Sequence, residues 1–164
     1  MSSAIFSPCG KYRYLLERSI GQGPTVAAIM VNPSTATATK DDPTIRRLMG
    51  FARVNRWGRV LIVNKFAIVT PCINDLQEAS DPVGPENDKH IADAVGSAEF
   101  CVVAWGSLNK LRAPSTKQRW KEILPILRTS LKPILCWGVT LDGQPKHPLY
   151  LPKNAQLVPW GWAA

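Results

Sequence analysis

The chain has 164 residues, 45% of them apolar and 20% charged, enough to bury one core and unlike the composition of a disordered tail. Twenty Lys and Arg against twelve Asp and Glu give a formal net charge of +8, which favours polyanionic or phosphorylated partners over acidic proteins. The longest apolar runs, about six residues, are too short to span a bilayer, and the opening Met1-Ser-Ser-Ala has no basic and apolar leader, so a soluble cytoplasmic monomer with no membrane partner is expected.

In chain order, Tyr12 to Ile20 is apolar, aromatic and basic and stops at Gly21-Gln-Gly-Pro24, which predicts an edge strand or hairpin arm. Thr25 to Val31 is apolar without alternation, the pattern of a strand covered on both faces. Asp42 can cap a helix with Pro43 at its first position, followed by the stripe Ile45, Leu48, Met49 and Ala52. Val60 to Val63 predicts a second buried strand. Pro85 opens a second helix with Ile91, Ala94, Val95 and Ala98 along one face, leaving His90 on the opposite, solvent side. Phe100 to Ala104 predicts a third strand. Ser115 with Gln118 forms a capping box for a third helix, with the stripe Trp120, Ile123, Leu124 and Leu127 kinked or split at Pro125. Pro133 to Trp137 predicts a fourth strand. Alternating strands and helices, with no linker or repeat, predict an α/β fold. It is a three-layer α/β/α single domain over residues 1–164, with a mainly parallel four-stranded sheet plus an N-terminal edge strand or hairpin.

The charge is uneven: residues 1–60 hold nine basic and three acidic side chains, and the remainder eleven and nine. Cys9, Cys72, Cys101 and Cys136 contain no Cys-x-x-Cys pair, which excludes a zinc ribbon or a cysteine-held iron–sulfur cluster. A metal site from Asp41, Asp42 and His147 needs a convergence in space that their spacing does not supply, so no metal or other cofactor is expected. There is no phosphate-binding Gly-rich loop of either common type and no nucleophilic triad, since His90 and His147 are the only histidines.

In open α/β sheets ligands bind beyond the carboxyl ends of the strands. Those ends carry Asn32-Pro33-Ser34, Asn64-Lys65-Phe66, Trp105-Gly106-Ser107 and the Gly138 to Pro152 loop with His147. Asn32, Asn64 and His147 are expected to converge on one pocket. A carboxamide such as Asn64 offers donor and acceptor side by side, matching the edge of a pyrimidine. His147 can donate to an oxygen that gains negative charge as a glycosidic bond breaks, and Asn32 can orient a water. The same residues equally suit an Asn in a strand-terminal turn and a His held in a Pro-rich loop. Arg46 and Arg47 lie off the apolar stripe near a helix start, where phosphate binding competes with a solvated face. Trp105 is the tryptophan expected to border a pocket.

The segments Met30-Val-Asn-Pro-Ser34, Val60-Leu-Ile-Val-Asn64, Val102-Val-Ala-Trp-Gly-Ser107 and His147-Pro148 resemble, in order, motifs of the uracil-DNA glycosylase superfamily. Three departures stand out: Leu149 replaces the Ser after His-Pro, Ser34 replaces a Gly, and Asn32 stands where an Asp would activate water. Over nearly its full length the chain also resembles a bacterial and phage family known as domain of unknown function 1643. That likeness is carried by Asn32-Pro-Ser-Thr-Ala36, Asp41-Asp-Pro-Thr-Ile-Arg-Arg47, Asp81-Pro-Val-Gly-Pro85 and His147-Pro-Leu-Tyr-Leu-Pro152.

The glycosylase likeness implies a hydrolase that releases a modified or damaged base from a flipped nucleotide, in DNA rather than RNA. Asn32 and His147 would be catalytic; Asn64, Phe66, Pro33 and Trp105 would bind the base. Arg46, Arg47, Leu149 and Tyr150 would meet the DNA. Competing expectations are a non-catalytic nucleic-acid-binding module with the same pocket, and an enzyme of free nucleosides or nucleotides.

Overall fold

A computed structural model describes residues 2–161. Among these residues seven strands form one sheet in the order β1-β2-β4-β3-β5-β6-β7: β1 Ser3–Phe6, β2 Arg13–Ser19, β3 Thr25–Met30, β4 Arg59–Asn64, β5 Phe100–Val103, β6 Ile134–Cys136 and β7 Val158–Pro159. The four strands read from apolar runs are neighbours at its centre and run parallel, β4-β3-β5-β6. The sheet as a whole is mixed, because β1 pairs antiparallel with β2, β2 with β4, and β7 with β6. This corrects the expectation of a four-stranded, mainly parallel sheet. Of the two readings of the N-terminal segment the hairpin arm holds: β2 pairs antiparallel with β1, which forms the edge, and itself lies inside the sheet. Only β1 and β2 are joined by a short turn, as an antiparallel pair allows, whereas β2–β4 and β6–β7 are brought together by longer connections.

Four helices, α1 Pro43–Val54, α2 Ile73–Glu78, α3 Asn87–Ser97 and α4 Pro114–Thr129, accompany the sheet among the described residues. Strand alternation divides the core in two. Val26, Ala28, Val60, Ile62 and Val102 pack with Ile45, Leu48 and Ala52 of α1. Ala27, Ile29, Leu61, Val63 and Val103 pack on the other face with Ile91 and Val95 of α3 and Ile123 and Leu127 of α4. Period-2 alternation on strands buried on both faces is what makes their sequences uniformly apolar.

Helix α1 forms as its sequence dictates: Asp42 accepts from the Ile45 amide at 2.8 Å, and Pro43 occupies the first turn. Helix α4 differs from expectation. Its N-cap is Ala113 and Pro114 takes the first turn, so Ser115 lies inside the helix and caps nothing. The helix also continues past Pro125 without splitting. Helix α3 starts at Asn87, two residues after Pro85, and His90 is not solvated: its ring stacks on Tyr14 at 4.9 Å.

Candidate functional site

The carboxyl ends of the parallel strands surround a cavity of about 620 Å³, within the usual size of a small-molecule site. Asn32 enters it from the end of β3, Lys65 from β4, Trp105 and Ser107 from β5, and His147 and Tyr150 from the loop after β6. No Asp or Glu lines it among the described residues, whereas Lys65, Lys110 and Lys146 do. The electrostatic bias is therefore toward an anionic or electron-rich ligand.

Asn32 is fixed by its own amide. Nδ2 donates to the Pro33 carbonyl at 2.9 Å and to the Thr70 carbonyl at 2.8 Å. Both donor hydrogens are thereby spent, and Oδ1 is left as an acceptor of defined orientation. His147 is half-buried at the head of the 3₁₀ turn Pro148–Tyr150, and its Nδ1 accepts from the Leu149 amide at 3.3 Å. An imidazole that accepts at Nδ1 carries its proton on Nε2, so it is a neutral donor. Burial, reinforced by the nearby Lys110 cation, lowers its pKa to about 4 and keeps it neutral throughout the physiological range.

Two loops are tied together to hold this arrangement. Trp105 Nε1 donates to Gln144 Oε1 at 2.8 Å, the Gly106 amide donates to the Pro145 carbonyl at 2.8 Å, and Ser107 Oγ donates to Asp142 at 2.9 Å. Gly106 has φ +81°, and a Cβ there would lie 3.2 Å from the His147 Cβ. The β5 loop passes that close to His147 because the position has no side chain.

The remaining expected site residues fall elsewhere. Asn64 does not line the cavity: it pairs in register with Met30, on the face that packs against α1, where it is 2% exposed with Nδ2 unpartnered. Phe66 is buried in a separate cluster with Tyr12, Tyr14 and Ile68, and Pro33 is buried outside the lining. The expected meeting of two carboxamides and one imidazole is thus reduced to Asn32 and His147. Arg47 donates to the Leu151 carbonyl and lies over the Phe51 ring at 5.3 Å, so it braces the His147 loop against α1. Arg46 is exposed and donates to the Asp41 carbonyl at 2.6 Å. Leu149 and Tyr150 are both exposed, Tyr150 at 73%, and Tyr150 stands at the cavity wall. Among the described residues no three of His, Cys, Asp and Glu gather as a ligand set for a metal ion.

Lys65 was not singled out from the sequence. It is 1% exposed, its Nζ lies 5.3 Å from the Trp105 ring, and burial with Arg119 nearby lowers its pKa to about 7. The signal was available: a lone charge inside Val60-Leu-Ile-Val-Asn-Lys-Phe66 continues the buried face of Leu61 and Val63.

Comparison with known proteins gives one finding. The family model described as "Protein of unknown function (DUF1643)" matches residues 13–149. No curated protein and no solved structure matches the chain significantly. The likeness to uracil-DNA glycosylases rests on the short sequence motifs alone.

Proposed function

The chain belongs to the DUF1643 family, and for this member we propose a DNA base-processing role, the hydrolysis of the N-glycosidic bond of a modified or damaged base on a flipped nucleotide. One observation carries the reading: a fixed acceptor, Asn32 Oδ1, and a neutral donor, His147 Nε2–H, line one cavity beside an aromatic wall, Trp105. A base extruded from a duplex needs such an aromatic surface and a few oriented polar groups.

In this reading the base enters against Trp105. Asn32 Oδ1 accepts a hydrogen from a water and aims its lone pair at the sugar carbon; a carboxamide positions the water without deprotonating it. The bond to the base then breaks with its electron pair leaving on the base, the water oxygen bonds to the sugar carbon, and the proton it sheds ends on the departing base anion. His147 Nε2–H donates to the oxygen on which that charge settles, and the lysines of the wall favour the same charge. Recognition of the base edge falls to groups of the lining rather than to Asn64 and Phe66, which lie outside it. Leu149 and Tyr150, exposed beside the mouth, would fill the vacated stack, while Arg46 and Arg47, which donate to the Asp41 and Leu151 carbonyls, support the loops around α1.

Incubation with duplexes carrying uracil, hydroxymethylated or glycosylated pyrimidines, followed by alkali, reports abasic sites. Release of one of these bases is expected, and Asn32→Ala or His147→Ala should reduce it by about 100-fold or more with unchanged circular dichroism. Full activity in both variants would remove the site assignment. Salt-dependent duplex binding with no abasic product would make the protein a binding module. A second reading, action on free nucleotides, is favoured by the lysine-lined, carboxylate-free wall. Turnover of nucleotides without duplex affinity would establish it in place of the first.

A further inference from the structure

The apolar surroundings of Lys65 are unusual for a lysine. A buried lysine is ordinarily paired with a carboxylate. Here the acids of the adjoining helices are held by other cations: Asp88 and Glu122 by Arg119, which also donates to the Lys65 carbonyl at 2.9 Å, and Asp93 by Lys89. Among the described residues no hydrogen bond or ion pair reaches Lys65 Nζ. Its neighbours are the Trp105 and Phe66 rings, at 5.3 and 5.7 Å, and the cavity itself. Burial, together with Arg119 close by and no carboxylate of its own, disfavours the ammonium, which leaves an amine with a free lone pair on the wall of the ligand cavity.

We propose that Lys65 is a nucleophile that forms an imine with the C1′ aldehyde of an abasic deoxyribose. The class of carbonyl rests on the base-release reading above, since that sugar is the product left in the cavity. The Nζ lone pair adds to the aldehyde carbon, and the carbonyl oxygen takes up a proton as Nζ gives one up, forming a carbinolamine. The hydroxyl then leaves as water, with the proton this requires, and the carbon–nitrogen double bond forms. Amine and aldehyde give imine and water, and nothing is oxidised or reduced. At neutral pH an ordinary surface lysine is almost entirely ammonium, whereas Lys65 has a substantial amine fraction, so it should react in preference to the other lysines.

The test uses the full chain and a duplex with one preformed abasic site, so no base release is required. Cyanoborohydride at pH 7 should trap a covalent protein–DNA adduct, and peptide mass mapping should place it on Lys65. Lys65→Arg, which keeps a cation, and Lys65→Met, which keeps the apolar volume, should each lower the adduct at least tenfold. No adduct with the wild-type chain, an adduct mapped to another amine, or an undiminished adduct in a folded variant would overturn the assignment. Should both variants fail to fold, the mapped position in the wild-type chain decides. Base release from intact duplexes, measured separately, distinguishes the two claims. Release without an adduct refutes the nucleophile and leaves the hydrolase; an adduct without release does the reverse.

Discussion

Lys65 and His147 are held against their ordinary protonation states, and both costs are measurable. Lys65 falls from the usual lysine value of 10.5 to about 7 in the folded chain. Between those values the unfolded chain holds a proton that the folded chain does not, so stability rises with pH across that window and the full penalty applies below pH 7. Lys65→Met should therefore stabilise the protein by about 1–4 kcal/mol at pH 7, and urea melts should show the gain shrinking as pH approaches 10. The folded pKa of His147, about 4 against 6.5, gives a window at lower pH. Stability is full above 6.5 and falls as pH drops through 4, by at most about 3 kcal/mol. His147→Gln should flatten that part of the profile. These residues also mark the limit of what the sequence reveals. Asn32 and His147 were found because strand ends carry chemistry in this kind of sheet. Lys65 was passed over because a charge after an apolar strand looks like the strand's end, when alternation instead continues into the core. Asn64 follows the same alternation to the opposite, α1 face, and so misses the cavity.

Helix α1 was legible in the sequence because cap, first-turn proline and apolar stripe agree, and each is a local feature. The capping box at Ser115 misled because Pro114 is a better first-turn residue and moves the helix start upstream. Strands β1 and β7 were not legible: they are short, lie at the sheet edges and owe their conformation to pairing. Asp42 does more than cap α1. It lies close enough to Arg13 to offset the burial of that guanidinium, which donates to the Ala36 carbonyl at 2.6 Å. Asp42→Asn keeps a capping oxygen and loses the charge, whereas Asp42→Ala loses both. The alanine variant should cost about 2 kcal/mol or more, lowering Tm by roughly 4–8 °C. In thermal melts the asparagine variant should fall between it and the wild type. Equal melting of all three would show that neither cap nor charge contributes.

Taken over the whole molecule, the charge bias of the sequence does not translate into a phosphate-binding N-terminal face. Of the nine basic residues in 1–60, Arg13, Arg18, Arg47 and Arg59 are bound internally: to the Ala36 carbonyl, to Asp41, to the Leu151 carbonyl and to Glu17. These side chains organise the hairpin and the α1 loops, and a cation already hydrogen-bonded within the fold adds little to a polyanion interface. Exposed cations beside the cavity are a better footprint: Lys110 and Lys146 line it, and Lys153 lies on the adjoining α1 groove. If these three neutralise phosphates, the logarithm of the duplex association constant should fall with that of salt concentration at a slope of about −2.7. A rise from about 50 to 200 mM salt then weakens binding by roughly fortyfold. Lys110→Ala or Lys146→Ala should each make the slope shallower by about one. Arg18→Ala breaks the 2.7 Å pair with Asp41 and so should lower Tm while leaving the slope unchanged. Fluorescence anisotropy across a salt series measures all four proteins. A wild-type slope near zero, or a slope change confined to Arg18→Ala, would place the nucleic-acid contact away from the cavity mouth or remove it from this protein altogether.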